Sequence, residues 1–484
     1  DTIRYLEKIP NGCKNDLIIP DVRLLRPTVL IIHDNLKKKI FYIVNCFSDE
    51  KITNYKEKYY SIENQINNLI FISNYKLNLT SKKNKKIGLL LFSLCIIFVL
   101  ANNLGNTFQV FWIIGLSVGF TLQRSRLCFA SGFRDLFLMK QGATMKGIIL
   151  GLVVAIIGFS MIMSTIYPSP NGLSIPTDAN ILPVGIATLI GGILFGIGMV
   201  VAGGCVSGSL YRMGEGYLTS WVAMIGIIIG TTLLNHSWNW WWDLSIKNDP
   251  LSWLPNEIGY TFAILLSLVM LAICYLGILK IESSVPKFNI PIMDSDKQKK
   301  EDSETGIIHS LLPAYKAIFK NGWSPAIGAI VLSIINIFVF IRFSPLGVVG
   351  EISRWGATIG EMFGVATPSL KGIAEMGGCA LPDMVKGNFF AHNHFFLNAG
   401  IIVGSFSGAF FADEFKLRIS KSIRRYMQSF FGGIFMGYGA GLAIGCTIGA
   451  FFSSIPSLAI SGWVFAFALF IGAFIGSKII TRLM

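Results

Sequence analysis

Two stretches of this chain copy one pattern, and each copy ends on a cysteine. Gly191-Gly192-Ile193-Leu194-Phe195-Gly196 runs on to Gly204-Cys205, and Gly432-Gly433-Ile434-Phe435-Met436-Gly437 runs on to Gly445-Cys446, with 14 residues from first glycine to cysteine in both. A tryptophan follows each copy at nearly matching positions, Trp221 and Trp463. An apolar, glycine-rich duplication with a thiol at each tip is poorly suited to a soluble core. It suits paired elements that pack closely in a membrane and face a pore.

Composition agrees. The 484 residues are 52% hydrophobic and 14% charged, with mean hydropathy +0.59, values of a polytopic membrane protein. Apolar runs long enough to cross ~30 Å of hydrocarbon recur from Ile87 onward. The expected spans are 87–104, 107–123, 145–166, 183–203, 217–234, 258–279, 324–342, 394–412, 428–446 and 457–477. The expected fold is therefore all-α and polytopic, with about 9–10 transmembrane helices. Eight cysteines occur without CxxC, CxxH or HExxH spacing, so no metal site or cofactor is expected. His392 and His394 would fall on different faces of a helix.

The net charge of +14 divides unevenly, since residues 1–86 hold 16 Lys/Arg against 9 Asp/Glu. Elsewhere, basic residues gather in alternate loops and report orientation rather than nucleic-acid binding. Tyr167–Pro183 has no Lys or Arg, and Asn235–Asn256 has only Lys247; both read as outside. The second carries Trp238, Trp240, Trp241, Trp242 and Trp253, as an interfacial belt would. Arg124–Lys146, Lys280–Lys300, Lys416–Arg425 and the Lys478/Arg482 tail read as inside, so both termini are expected in the cytoplasm.

On this orientation the Cys205 and Cys446 segments are inverted copies. Gly147–Gly151 recurs as Gly400–Gly404, and Ser125-Arg126 is echoed by Ser353-Arg354. Inverted repeats with broken segments place a transport site at the repeat interface near the midplane. Val206-Ser207-Gly208-Ser209 and Thr447-Ile448-Gly449 would each open a re-entrant half-helix whose free N–H groups favour an anion. A polarizable thiol suits sulfur or selenium better than an all-oxygen anion. Cys379, in Met376-Gly377-Gly378-Cys379-Ala380-Leu381-Pro382, forms a third glycine–cysteine turn. Substrate contact is thus expected from Cys205, Cys379 and Cys446. Accessory roles fall to Cys128 at the cytoplasmic mouth, Ser207, Thr447, and the pair Arg126 and Arg354, which would attract an anion to each mouth. Cys95 and Cys274 read as inert packing residues.

The domains expected are 1–80, a small α+β extension; 87–281, the first membrane half; 282–323, a cytoplasmic linker; and 324–484, the second half. Thr28–Ile32 and Ile40–Val44 read as a hairpin. Asp1–Lys8, Ile19-Pro20-Asp21 and His33–Ile40 resemble part of the amino-terminal region of anthranilate synthase component I. The catalytic half of that family is absent, so this segment reads as a truncated or fused remnant with no function assigned.

Residues 203–216 (Gly203-Gly204-Cys205 through Gly216), Arg124–Phe129 with Phe133-Arg134-Asp135, and Gly445–Gly449 resemble the YeeE/YedE family of bacterial inner-membrane proteins. The resemblance spans about residues 87–484. It implies uptake of thiosulfate, or in some members a selenium compound, across the cytoplasmic membrane by relay between pore cysteines through S–H···S hydrogen bonds. Cys205, Cys379 and Cys446 match that role by motif. A cytosolic sulfur-carrier partner is implied as well. The alternative of another class is a membrane sulfurtransferase that forms a cysteine persulfide, which needs a thiolate beside a basic group. No basic residue lies within two positions of Cys205 or Cys446.

Overall fold

The computed structural model describes residues 29–34, 39–44, 106–168, 176, 178–284, 316–364, 367–373 and 392–483. The chain forms two compact units, Asp1–Thr80 and Ser81–Met484. In the first, β1 (Val29–Asp34) and β2 (Lys39–Val44) pair antiparallel, with Val29 opposite Val44 and Asp34 opposite Lys39. The expected hairpin is there, and its first strand extends through Asp34.

The second unit is helical: α1 (Asn106–Ser125), α2 (Phe129–Met139), α3 (Ala143–Ile166), α4 (Ile186–Ala202), α5 (Val206–Gly214), α6 (Leu218–Leu244), α7 (Leu254–Ser283), α8 (Pro325–Arg342), α9 (Val349–Met362), α10 (Asn393–Phe411), α11 (Ile423–Leu442), a π-helical turn (Thr447–Ser453) and α12 (Ile460–Leu483). Among the described residues, seven spans are long and apolar enough to cross a membrane, eight if α11 and the π turn count as one. Local chemistry sets the ends. The Ser324 hydroxyl accepts from Ile327 N, and Pro325 opens α8 where no N–H is missed. Gly203, at φ +82°, ends α4 in the left-handed region that favours glycine.

The expected spans from 107–123 to 457–477 correspond to α1, α3, α4, α6, α7, α8, α10, α11 and α12; span 87–104 lies outside the described residues. Two features differ from expectation. α4 and α5 form one interrupted span, Ile186–Gly214, instead of a re-entrant return, whereas α11 and the π turn bend by 46°. α6 runs to Leu244, so four of the five belt tryptophans are helical. Trp238, Trp241 and Trp253 are buried and donate to Lys371 O, Tyr438 Oη and Ser457 O, while Trp240 is exposed. Their indole N–H groups are used inside the protein rather than at an interface.

The packing repeats under exchange of the two halves. α1 lies on α10 as α8 lies on α3, α6 on α11 as α12 on α4, and α6 on α9 as α12 on α2. At the centre α4 crosses its own counterpart α11, antiparallel: Gly191 faces Gly439 and Ala443, and Gly198 faces Gly432 and Met436. A Cβ on Gly191 would lie 2.8 Å from Ala443 N, and one on Gly432 would lie 2.5 Å from Ala202 N, so any side chain would push the helices apart. The other glycines of the motif divide alike, Gly192 and Gly196 facing α12, Gly433 and Gly437 facing α6. The copied pattern thus codes a close crossing, used once in each direction. α4 and α5 form the most enclosed span, 72% buried, against 22% for α7, whose Phe262, Leu265 and Ile273 are exposed as a lipid-facing surface requires.

Candidate functional site

Each interruption has the same construction. Cys128, Cys205 and Cys446 have extended backbone and stand immediately before a short helical segment, α2, α5 and the π turn respectively. All three are at most 1% exposed. The Cys205 thiol accepts from Gly208 N at 3.3 Å, using one of the otherwise free N–H groups of α5. The Cys446 thiol sits against the backbone N–H groups of Ile448 and Gly449 and the backbone of Val348.

Cys128 and Cys205 face one another across Gly208. A Cβ on Gly208 would lie 2.9 Å from Cys128 Sγ and 3.2 Å from Cys205 Sγ, so only glycine leaves the thiols their room. Ser207 Oγ is 3.4 Å from Cys205 Sγ. The Thr447 hydroxyl approaches the Cys205 thiol from the other half; it is wholly buried and makes no hydrogen bond. Cys128, Cys205 and the Thr447 side chain thus come together where the two halves meet, and Cys446 is next to Thr447 in the chain. Phe129 packs on Phe451 and Phe452 beside it. The π turn is fixed by Asn180 Nδ2 donating to Gly449 O (2.7 Å) and Asn336 Nδ2 donating to Ser453 Oγ (3.1 Å), one asparagine from each half.

Several expected residues fall elsewhere. Cys128 is not at a mouth: Arg126, at φ +51°, turns the chain after α1 and sends Cys128 inward to Cys205. Cys379 lies outside the described residues. Arg126 is 44% exposed and pairs with Glu414 at 3.4 Å. Arg354 is buried, and both its Nε and Nη2 donate to Glu351. The two arginines are not equivalent in the fold. Arg354 is the sixth residue of α9, and its counterpart is Arg134, sixth in α2, which pairs with Asp135. Cys274 is exposed on α7 and takes no part.

Three groupings were not legible in one dimension. His392 precedes α10 instead of lying within it, so its ring stacks on His394 with centroids 5.5 Å apart, and its Nδ1 is 3.0 Å from Glu351. Buried Arg124 donates to Glu414 (2.9 Å) and to Phe319 O, while Gln123 Nε2 donates to both Glu414 and Glu215. Burial pushes the Glu215 carboxyl above its ordinary value, with Arg418, Arg212 and Arg126 opposing. Third, Arg212 donates to Gly203 O and lies over the Tyr211 and Tyr217 rings, bringing a cation to the Cys205 break from seven residues away. Among the described residues, no group of three or more His, Cys, Asp or Glu could hold a metal.

A duplicated, inverted bundle with buried thiols at paired helix breaks defines a membrane transporter built around its repeat interface. The sulphur transport family pattern matches residues 124–475, well over half of the chain, and the chain belongs to that family. The thiosulfate transporter TsuA of Spirochaeta thermophila is 30% identical over 368 residues, covering 73% of this chain and 92% of its own. TsuA of Escherichia coli K12 is 29% identical over 334 residues, covering 67% and 81%. The probable transporter YedE of Salmonella typhimurium is 36% identical over 128 residues, 26% of this chain and 29% of its own.

Proposed function

We propose that this protein moves thiosulfate across the bacterial cytoplasmic membrane, inward, by relay between reduced thiols. The meeting of Cys128, Cys205 and Thr447 at the interface of the halves, with the buried Cys446 next in the chain, is the observation that carries this reading. The outer sulfur of thiosulfate is soft and accepts from S–H and O–H donors. Backbone N–H groups at the broken helix ends supply positive potential toward the dianion. The thiols act protonated, because a thiolate would repel the substrate. Names of the relatives favour thiosulfate over a selenium compound.

In this reading Cys446 and Cys379 meet the anion from outside and Cys205 passes it inward, to a cytosolic sulfur carrier. Both termini then lie in the cytoplasm, as the basic loops require. Residues 1–80 form a separate extension. The domain limits remain 87–281, 282–323 and 324–484.

The test is uptake of labelled thiosulfate by cells that lack their own sulfate and thiosulfate importers. Expression of this chain restores uptake, and excess unlabelled thiosulfate suppresses it more strongly than selenite does. A cell that gains no thiosulfate uptake while the protein reaches the membrane contradicts the assignment.

A further inference from the structure

Beside the Cys205 break lies a cavity of about 300 Å³ that the relay does not use. Gly204 and Ser209 line it, and Arg212, Arg418 and Arg425 converge on it from α5, the segment before α11, and α11 itself. Tyr217 and Ser420 add hydroxyl groups to the lining.

Its charge is unbalanced. Arg418 is 4.0 Å from Glu215, and its buried Nη1 has no hydrogen-bond partner. Arg425 donates to the Gln428 amide, and Arg212 to Gly203 O and two ring faces, so neither meets a carboxylate among the described residues. Arg134 and Arg212 add their positive charge to that of Arg425. Three guanidiniums with Glu215 as the one carboxylate close to them repel one another, a cost that a bound anion lowers. Guanidinium forks and hydroxyls are the donors that match a tetrahedral oxyanion.

We propose that this cavity is a second anion site, one that binds a small tetrahedral dianion, sulfate or thiosulfate, one step beyond Cys205. Binding stands on the cavity alone. Its role rests on the transport reading above: it draws the anion off the last thiol, and internal oxyanions filling it slow further uptake. A lipid phosphate presents the same oxygens, but the lining includes Gly204 and Ser209, on either side of the buried Cys205 in the broken helix, which a lipid headgroup tethered by its chains reaches less well than a free ion.

The test is equilibrium dialysis of labelled sulfate and thiosulfate with the purified full-length protein, as wild type, Arg418→Gln, Arg425→Gln and Cys205→Ser. Unliganded melting temperatures establish that each variant is folded, and Arg425→Lys serves as the conservative control. The expected result is saturable, salt-sensitive binding of both anions, with the sulfate affinity about tenfold weaker in each Arg→Gln variant. Added anionic phospholipid leaves it unchanged. Binding that vanishes in Cys205→Ser and survives both Arg→Gln changes overturns the proposal by placing the anion on the thiols. Binding of anionic lipid alone, or of no dianion, also overturns it. Wild type that binds sulfate in this way yet imports no thiosulfate keeps the site and removes the transport assignment.

Discussion

At the Cys205 break the thiol faces a second thiol, Cys128, over a glycine that leaves no space, and an arginine cavity opens on the far side. At the Cys446 break the position matching Cys128, immediately before α9, is Val348. There the thiol rests on backbone, and two asparagines hold the turn. The backbones are related by exchange of the halves, down to which glycines face which helix. The side chains are not. Duplication supplies a symmetric frame with two breaks near one interface, and substitution then makes one break basic and doubly thiolated, the other neutral. A passage with unlike ends can favour one direction of anion flow while its walls remain symmetric.

Adding a methyl at Gly208 attacks the first break directly. Gly208→Ala places carbon 2.9 Å from Cys128 Sγ; overpacking of this kind costs ~1–3 kcal/mol, and thiosulfate flux falls by about ten- to a hundredfold. Unchanged flux would mean that the anion does not pass between these thiols. At the other break, Asn336→Ala strands Leu346 N and removes a donor to Ser453. Thermal or chemical unfolding in detergent should then show a loss of ~1–3 kcal/mol. The same loss without any effect on flux would mark the second break as purely structural. Cys128→Val gives the first break the residue that Val348 supplies to the second. Flux drops by about tenfold if the thiol pair matters, and Val348→Cys leaves the Cys128 variant uncorrected because it builds a pair at the wrong end.

The smallest effect is in the charge around the arginine cavity. Burial raises the Glu215 carboxyl in the folded protein above its ordinary value of 4.5. The folded state therefore holds that proton to higher pH than the unfolded one. The associated stability is full below about pH 4.5 and is lost as pH rises through the raised value. Glu215→Gln should flatten the fall in melting temperature across that window, and a profile with unchanged slope would remove Glu215 from the account.

Much of this was legible in the residues. The Gly–Gly–Cys duplication, its inversion and a helix at nine of the ten expected spans, seven or eight of them long and apolar enough to cross a membrane, follow from apolar length and loop charge, which act locally. What failed depends on tertiary partners. The tryptophans of Asn235–Asn256 read as a belt because nothing in their run reveals that Tyr438, Lys371 and Ser457 take their N–H groups. The echo of Ser125-Arg126 in Ser353-Arg354 is a coincidence of letters, since one arginine follows α1 and the other lies inside α9. Cys128 looked peripheral because it is close in sequence to Arg124 and Arg126, yet the positive φ at Arg126 turns it into the core. The arginines around the cavity are distant in sequence, and only the close approach of α5 to the segment preceding α11 gathers them.

Thiosulfate flux into proteoliposomes, with the protein as wild type, Cys205→Ser, Cys446→Ser and the double variant, tests the thiol relay most directly. Serine keeps a donor of similar size and removes the sulfur. The relay predicts that each single variant loses most of the flux and that the double variant is no worse than the lower single one, since the thiols act in series. Wild-type flux in the double variant, or a persulfide trapped on either thiol during turnover, would contradict it.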